Sequence, residues 1–394
     1  MFERNIPKMK KLLFLLLVLS SFIGQAQENL NFSTKKEIIS PEINTNKSLT
    51  FRILAPNAKK VELQGDLISN NNPVAMIRND DGLWSYTTTP LKPELYSYSF
   101  IVDGLKIRDA NNVYQIRDVA SVVNVVIVPD GKAENYLVKD VPHGTVSKRW
   151  YKSPGNNKDR RISIYTPPGY EEGKTKYPVL YLLHGMGGDE EAWLALGRTA
   201  QILDNLIAQE KATPMIVVMP NGNVAQSAAP GEDVKGLYKP TMQLPNTMDG
   251  KMEETFTDII KFVEENYRTK ADHAHRAIAG LSMGGYHSLH ISRFYPNTFD
   301  YVGLFSPAIM PFGKTTSAVY ENLDATLSKQ FNNGLKLYWI GIGKTDFLYK
   351  SVSDFRSKLD KMNVKYIYSE SEGGHTWSNW RDYLVLFVPQ LFKP

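Results

Sequence analysis

Two textures of apolar and polar positions divide this chain. Over residues 30–130 the alternation has period two and comes in short runs, each closed by turn residues. Residues 49–54, 60–64, 84–88 and 95–102 follow it, so successive side chains point to opposite faces and each run reads as a strand. Asn79-Asp80-Asp81-Gly82 and Val102-Asp103-Gly104 are turn signals, the second joining a hairpin, and 119–128 closes the set. Short alternating strands over about 100 residues predict an all-β, immunoglobulin-like sandwich. From residue 159 the pattern changes. Apolar runs at 161–165, 179–183, 215–219, 301–306 and 335–343 alternate with helical segments at 199–209, 253–267, 285–294 and 318–330, with a last helix at 380–391. Strands interleaved with helices predict an α/β sheet over 159–394. The stretch between, 131–158, is rich in Pro, Gly, Lys and Asn and reads as a linker.

The amino terminus has a third texture. Lys8-Met9-Lys10-Lys11 is a basic cluster, and residues 12–23 are apolar but too few to span a bilayer comfortably. Gly24-Gln25-Ala26 offers small residues at −3 and −1, so 1–26 reads as a signal peptide cleaved after Ala26, with Met9 as an alternative start. Four basic residues against one acidic in that leader account for +3 of the formal net charge of +5. The remaining +2 is no footprint for nucleic acid. No later run of 18 apolar residues occurs, so no membrane span is expected. The chain has no cysteine, hence no disulfide, no acylated lipobox cysteine and no thiolate metal site. An exported protein without disulfides suits a bacterial periplasm or the medium. With 394 residues and 42% hydrophobic composition, the chain can bury a sizeable core in two domains.

The chemistry concentrates in Gly280-Leu281-Ser282-Met283-Gly284. This G-x-S-x-G lies between the apolar run 276–279 and a helix that stops at Tyr295-Pro296. Strand, tight turn and helix are the setting of a nucleophile elbow, which holds a serine exposed at the carboxyl edge of an α/β-hydrolase sheet. A serine needs a base, and seven histidines are available. His143 falls in the linker, His273 and His275 precede the elbow strand, and His287 and His290 lie on the elbow helix as packing or surface residues. His375, in Gly373-Gly374-His375-Thr376-Trp377, follows the last apolar run and is the expected base. The orienting acid is expected between serine and base in chain order. Asp346 ends the run 335–343 and its turn, and Glu372 is the second candidate. A further strand ends in His184-Gly185-Met186-Gly187-Gly188. Such a loop can aim a backbone N–H at a developing oxyanion, so Met186 and Met283 are the expected amide donors and His184 orients the loop. Residues 221–249 carry no periodicity and follow a strand's carboxyl end, where open α/β sheets bind ligands, so they read as the wall or lid of a pocket.

These motifs together resemble carbohydrate esterase family 1, which holds feruloyl esterases and some acetylxylan esterases and is related to the esterase D, enterochelin esterase and mycolyltransferase group. The resemblance spans 145–394 and rests on Thr166-Pro167-Pro168-Gly169-Tyr170, His184 to Glu190 with Trp193, Gly280 to Gly285, Gly341 to Asp346, and Gly374-His375-Thr376-Trp377 with Trp380-Arg381. It implies Ser282, Asp346 and His375 as a triad, with no metal and no organic cofactor. It also implies an acyl ester on plant cell-wall polysaccharide such as xylan as substrate, with Trp193 and Trp377 as candidate substrate contacts. The alternatives it leaves are an acetylxylan or siderophore esterase, an acyltransferase, and a non-catalytic glycan-binding protein. Ala55-Pro56-Asn57-Ala58, Asp81-Gly82-Leu83-Trp84 and 98–104 resemble carbohydrate-binding module family 48. On this reading the esterase half is self-contained for small esters and the sandwich serves polymeric substrate; the alternative is a structural domain that packs on the esterase and binds no glycan.

Overall fold

The inner strands of the carboxy-terminal half feed two cores at once. In Val179–Leu183, residues 179, 181 and 183 face one core and Leu180 and Leu182 the other. A strand buried on both faces is apolar without interruption, which is why these runs stand out in the sequence. The computed structural model describes residues 37–68, 72–234, 241–242, 244–310 and 315–393. The leader read at 1–26 lies outside the described residues. Ile39–Pro394 form one compact unit.

Eight strands build the main sheet: β1 (Thr145–Ser153), β2 (Lys158–Thr166), β3 (Val179–Leu183), β4 (Ile216–Pro220), β5 (Arg276–Leu281), β6 (Tyr301–Phe305), β7 (Leu337–Gly343) and β8 (Ile367–Ser371). Their order across the sheet is β1-β2-β4-β3-β5-β6-β7-β8. β1, β2 and β4 pair antiparallel, and every pairing from β4 through β8 is parallel. This is the α/β-hydrolase arrangement, with β5 central and its carboxyl end available for an elbow. The described helices are α1 (Ala192–Ala195), α2 (Thr199–Ala208), α3 (Lys251–Glu254), α4 (Phe256–Asn266), α5 (Met283–Phe294), α6 (Leu323–Asn332), α7 (Tyr349–Lys361) and α8 (Trp377–Phe387). α4, α5, α6 and α7 cover one face of the sheet, and α2 and α8 the other.

The amino-terminal half is two antiparallel sheets around one core. Leu49–Leu54 and Leu83–Thr87 belong to a four-stranded sheet, and Val61–Gly65, Glu94–Val102 and Ser121–Val128 to a six-stranded one. Leu49, Phe51 and Trp84 from the first meet Val61, Leu63, Tyr98 and Phe100 from the second. Alternation puts these residues inside and their neighbours outside.

Residues 131–158 are not a linker, which corrects the sequence reading. Gly131–Asn135 is a 3₁₀ turn whose Ala133, with Tyr136 beyond it, is buried in the same core as α2 and α8. β1 begins at Thr145 and pairs with the whole of β2. It was hidden because it is an edge strand with exposed lysine, arginine and tryptophan, so no buried apolar run marks it.

Leu95 and Val125 of the six-stranded sheet also enter the α2–α8 core. Beside them Glu94 accepts hydrogen bonds from Arg381 Nη2 (2.8 Å), Tyr136 Oη (2.5 Å) and Ser378, and pairs with Lys132 at 2.6 Å. Burial alone would raise the Glu94 carboxyl, but the Arg381 charge and these donors outweigh it and lower it to about 2. A depressed carboxyl stabilises the fold fully above its unfolded value near 4.5, and that contribution is lost as pH falls towards 2. Melting temperature followed from pH 6 to pH 2 should therefore drop more steeply for the native protein than for Glu94→Gln. Parallel curves would show that Glu94 carries no such linkage.

Candidate active site

Ser282 sits between β5 and α5 with φ 53° and ψ −115°, a conformation costly for any residue with a Cβ. Three backbone bonds hold it there. Its N–H donates to Phe305 O (2.9 Å), and its carbonyl accepts from Tyr286 N (3.0 Å) and Ala308 N (3.1 Å). The glycines of the motif make room for this turn. A Cβ on Gly280 would lie 2.4 Å from the Gly284 backbone, and one on Gly284 would lie 2.2 Å from Leu183 O. Met283 opens α5, so its N–H lies in the first turn and has no intrahelical acceptor.

The loop after β3 reaches the same point. A Cβ on Gly185 would come within 3.2 Å of Ser282 Cβ, and the adjoining Met186 lines the same cavity as the serine. His184 is buried and fastened at both ring nitrogens: Nδ1–H donates to Gly185 O (2.7 Å), and Nε2 accepts from Gly222 N–H (2.8 Å). Burial holds its pKa well below the ordinary value, so the ring stays neutral and serves as a fixed strut between two loops.

His375 Nδ1–H donates to Asp346 Oδ2 at 2.9 Å. Asp346 is 4% exposed and its other oxygen accepts from Leu348 N–H (2.9 Å). Burial raises this carboxyl, yet the His375 and Leu348 hydrogen bonds prevail and hold it below its usual range. The two loops are laced together. Thr345 N–H donates to Gly373 O (3.0 Å) and Asn379 Nδ2 to Gly374 O (2.9 Å), and a Cβ on Gly343 would sit 2.3 Å from Gly373 O. Glu372, the second candidate acid, points away, with an 83% exposed side chain paired to Lys344. The His375 ring rests edge-on against Trp380 (4.9 Å, 86°), which continues through Trp377 to Trp193.

Ser282, Met186, His375 and Trp377 open onto one cavity of about 960 Å³. Trp193 does not. It is 1% exposed and its indole N–H donates to Leu183 O (2.9 Å), so the substrate contact expected of it is corrected to a core residue behind the β3 loop. His287 and His290 are buried residues of α5 itself, bonded to Glu253 and Arg293. Residues 221–229 are mostly buried too. Their backbone is tied to Arg160 and Glu190, so only the later part of the expected pocket wall, through Met242, reaches the cavity among the described residues.

The sequence did not announce what closes the far side. Tyr96, Gln115, Arg117 and Val119 of the amino-terminal half line the same cavity. Arg117 Nη2 donates to the buried Asp189 Oδ2 at 2.5 Å. Val119 tips its hairpin at φ 50°, an outlier for a β-branched residue, and packs against Gly187 in the loop after β3. These contacts join residues some 70 positions apart, beyond the reach of local pattern. Among the described residues no group of three or more His, Cys, Asp or Glu could hold a metal ion, and no helix is long and apolar enough to cross a membrane.

An elbow serine at the carboxyl end of β5 and an aspartate–histidine pair beside it are the arrangement of an α/β-hydrolase, and the chain's family and relatives place it among carboxylic ester hydrolases. The family model "Putative esterase" matches residues 153–391, more than half of the chain, and the chain belongs to that esterase family. It is 32% identical over 275 residues to an endo-1,4-beta-xylanase/feruloyl esterase of Xylanibacter ruminicola, a match covering 68% of this chain and 36% of that protein's length. Among solved structures, a ferulic acid esterase superposes with TM-score 0.51 at 26% identity, covering 63% of this chain and 97% of its own. The enterobactin esterase of Shigella flexneri superposes with TM-score 0.62 over 88% of this chain and 93% of its own, at 16% identity, a likeness of fold alone.

Proposed function

We propose that this chain is a secreted serine esterase that removes hydroxycinnamoyl groups, feruloyl above all, from xylan-type polysaccharide. The observation that carries the reading is the meeting, on one cavity, of a strained elbow serine and an imidazole fixed by a buried carboxylate. His375 Nε2 takes the proton of Ser282 Oγ as that oxygen attacks the ester carbonyl. Asp346 keeps the ring in the Nδ1–H tautomer and stabilises the imidazolium. The Met186 and Met283 amides receive the oxyanion. His375 then returns its proton to the leaving alcohol, and water releases the acyl group by the same steps in reverse order of roles. The amino-terminal half is an immunoglobulin-like sandwich akin to carbohydrate-binding modules, and it forms part of the substrate cavity.

Cavity size favours a hydroxycinnamoyl over an acetyl group. About 960 Å³ lies at the large end of small-molecule sites, room for an aromatic acyl chain and a sugar together. A relative whose name includes feruloyl esterase is 32% identical to this chain. Activity on methyl ferulate, methyl coumarate and acetylated xylan tests this. Preference for acetylated xylan would overturn the acyl assignment, and no hydrolysis of any ester would overturn the function.

Asp346→Asn should lower kcat on methyl ferulate by about 10³–10⁴-fold, because the amide favours the wrong imidazole tautomer. Glu372→Gln should stay within about twofold, since its partner is an exposed lysine. The reverse ranking in steady-state kinetics would move the acid to Glu372.

A further inference from the structure

One large apolar side chain at the cavity is neither core nor explained by the triad. Phe347 immediately follows Asp346 and is 72% exposed. Its ring centroid lies 4.6 Å from that of His375 at a 52° tilt, and it lines the cavity with Ser282. Its backbone is not loose. Asp346 Oδ1 accepts from Leu348 N–H and the Asp346 carbonyl accepts from Tyr349 N–H (2.9 Å), so Phe347 tops a turn pinned on both sides. The imidazole already has a backing in Trp380, which is 7% exposed and 4.9 Å away. The backbone at Phe347 is thus pinned while its ring is uncovered, and the base already has Trp380 behind it.

The chemistry says which half of a substrate it would meet. His375 delivers its proton to the oxygen of the departing alcohol, so that alcohol must lie against the imidazole in the reacting complex. A ring beside the imidazole and open to the cavity meets the alcohol before the acyl group. The C–H faces of a furanose or pyranose pack well on an aromatic face, which gains from losing contact with water.

We propose that Phe347 is the platform for the sugar ring of the leaving alcohol, a specificity-determining residue on the alcohol side of the ester. This rests on the esterase reading above and names the side of the substrate that Phe347 selects. Covering the ring improves binding of sugar esters and does nothing for an ester whose alcohol is methanol.

Two substrates with one acyl group separate the possibilities: methyl ferulate and the feruloyl ester of a methyl pentofuranoside. The readout is the ratio of kcat/KM for the sugar ester to that for the methyl ester. Phe347→Ala should lower this ratio about tenfold, chiefly through KM for the sugar ester, and Phe347→Trp should restore it. Phe347→Leu, apolar but without an aromatic face, should fall between. A ratio within twofold of native in Phe347→Ala overturns the platform, whatever the absolute rates. An equal loss on both esters would place Phe347 on the acyl side or behind the base. A shifted pH profile on methyl ferulate would mark it as a support for His375, again against the proposal. Native protein inactive on both feruloyl esters would instead overturn the feruloyl assignment on which the proposal rests.

Discussion

Ser282→Ala is expected to lower kcat on methyl ferulate by on the order of 10⁴-fold or more while the protein stays folded. Without Ser282 Oγ the acyl-enzyme route is lost. What survives is the catalysis that binding and the amide donors give to water, which is why the loss is large but finite. Folding should be spared because the strain at Ser282 is carried by backbone bonds to Phe305, Tyr286 and Ala308, none of which needs the hydroxyl. Alanine keeps those bonds and the same positive φ. The decisive measurement pairs steady-state kinetics with a thermal melt. A variant that melts like the native protein and keeps more than a tenth of its kcat would remove Ser282 from the mechanism. A variant that does not fold would show that the hydroxyl is structural.

The inner strands of the main sheet and the approach of Asp346 to His375 were legible for one physical reason. Strands buried on both faces must be apolar throughout, and the residues of the site stand at the carboxyl ends of β5 and β7 or just beyond β8, where loop glycines mark close backbone approach. What escaped depends on contacts across the chain. β1 looked like linker because an edge strand shows its polar side chains to water. Trp193 sits within a site motif, and only packing reveals that its indole N–H is spent on Leu183 O. Phe347 was adjacent to the expected acid, yet no pattern distinguishes a buried phenylalanine from one left open on a cavity. The role of Arg117 and Val119 in walling the site depends on how two separately folded patterns pack, and neither pattern contains that information.

Of the two roles the sequence leaves to the sandwich, that packing favours the structural one over a module whose loss leaves residues 145–394 working alone on small esters. Deleting residues 39–143 should instead leave a protein that aggregates or melts early and loses activity on p-nitrophenyl acetate and feruloylated xylan together. The deletion strips Leu95, Val125, Ala133 and Tyr136 from the α2–α8 core, each less than 10% exposed in the whole protein. Burying one large aliphatic side chain stabilises by about 1.5–3 kcal/mol. Arg381, 2% exposed, would lose Glu94, and removing one partner of a buried pair costs about 3–5 kcal/mol. Together these rival the whole stability of an ordinary domain, about 5–15 kcal/mol. The loss would also reach the site directly. Arg381 and Trp380 are neighbours on α8, Trp380 backs His375, and Arg117 holds Asp189 beside the Met186 loop. Size exclusion, a thermal melt and rates on both substrates decide the matter. A monomeric truncated protein with a cooperative melt, near-native rate on the small ester and a loss confined to xylan would show that the sandwich is a detachable binding module. Joint loss on both substrates would show that it is a wall of the enzyme.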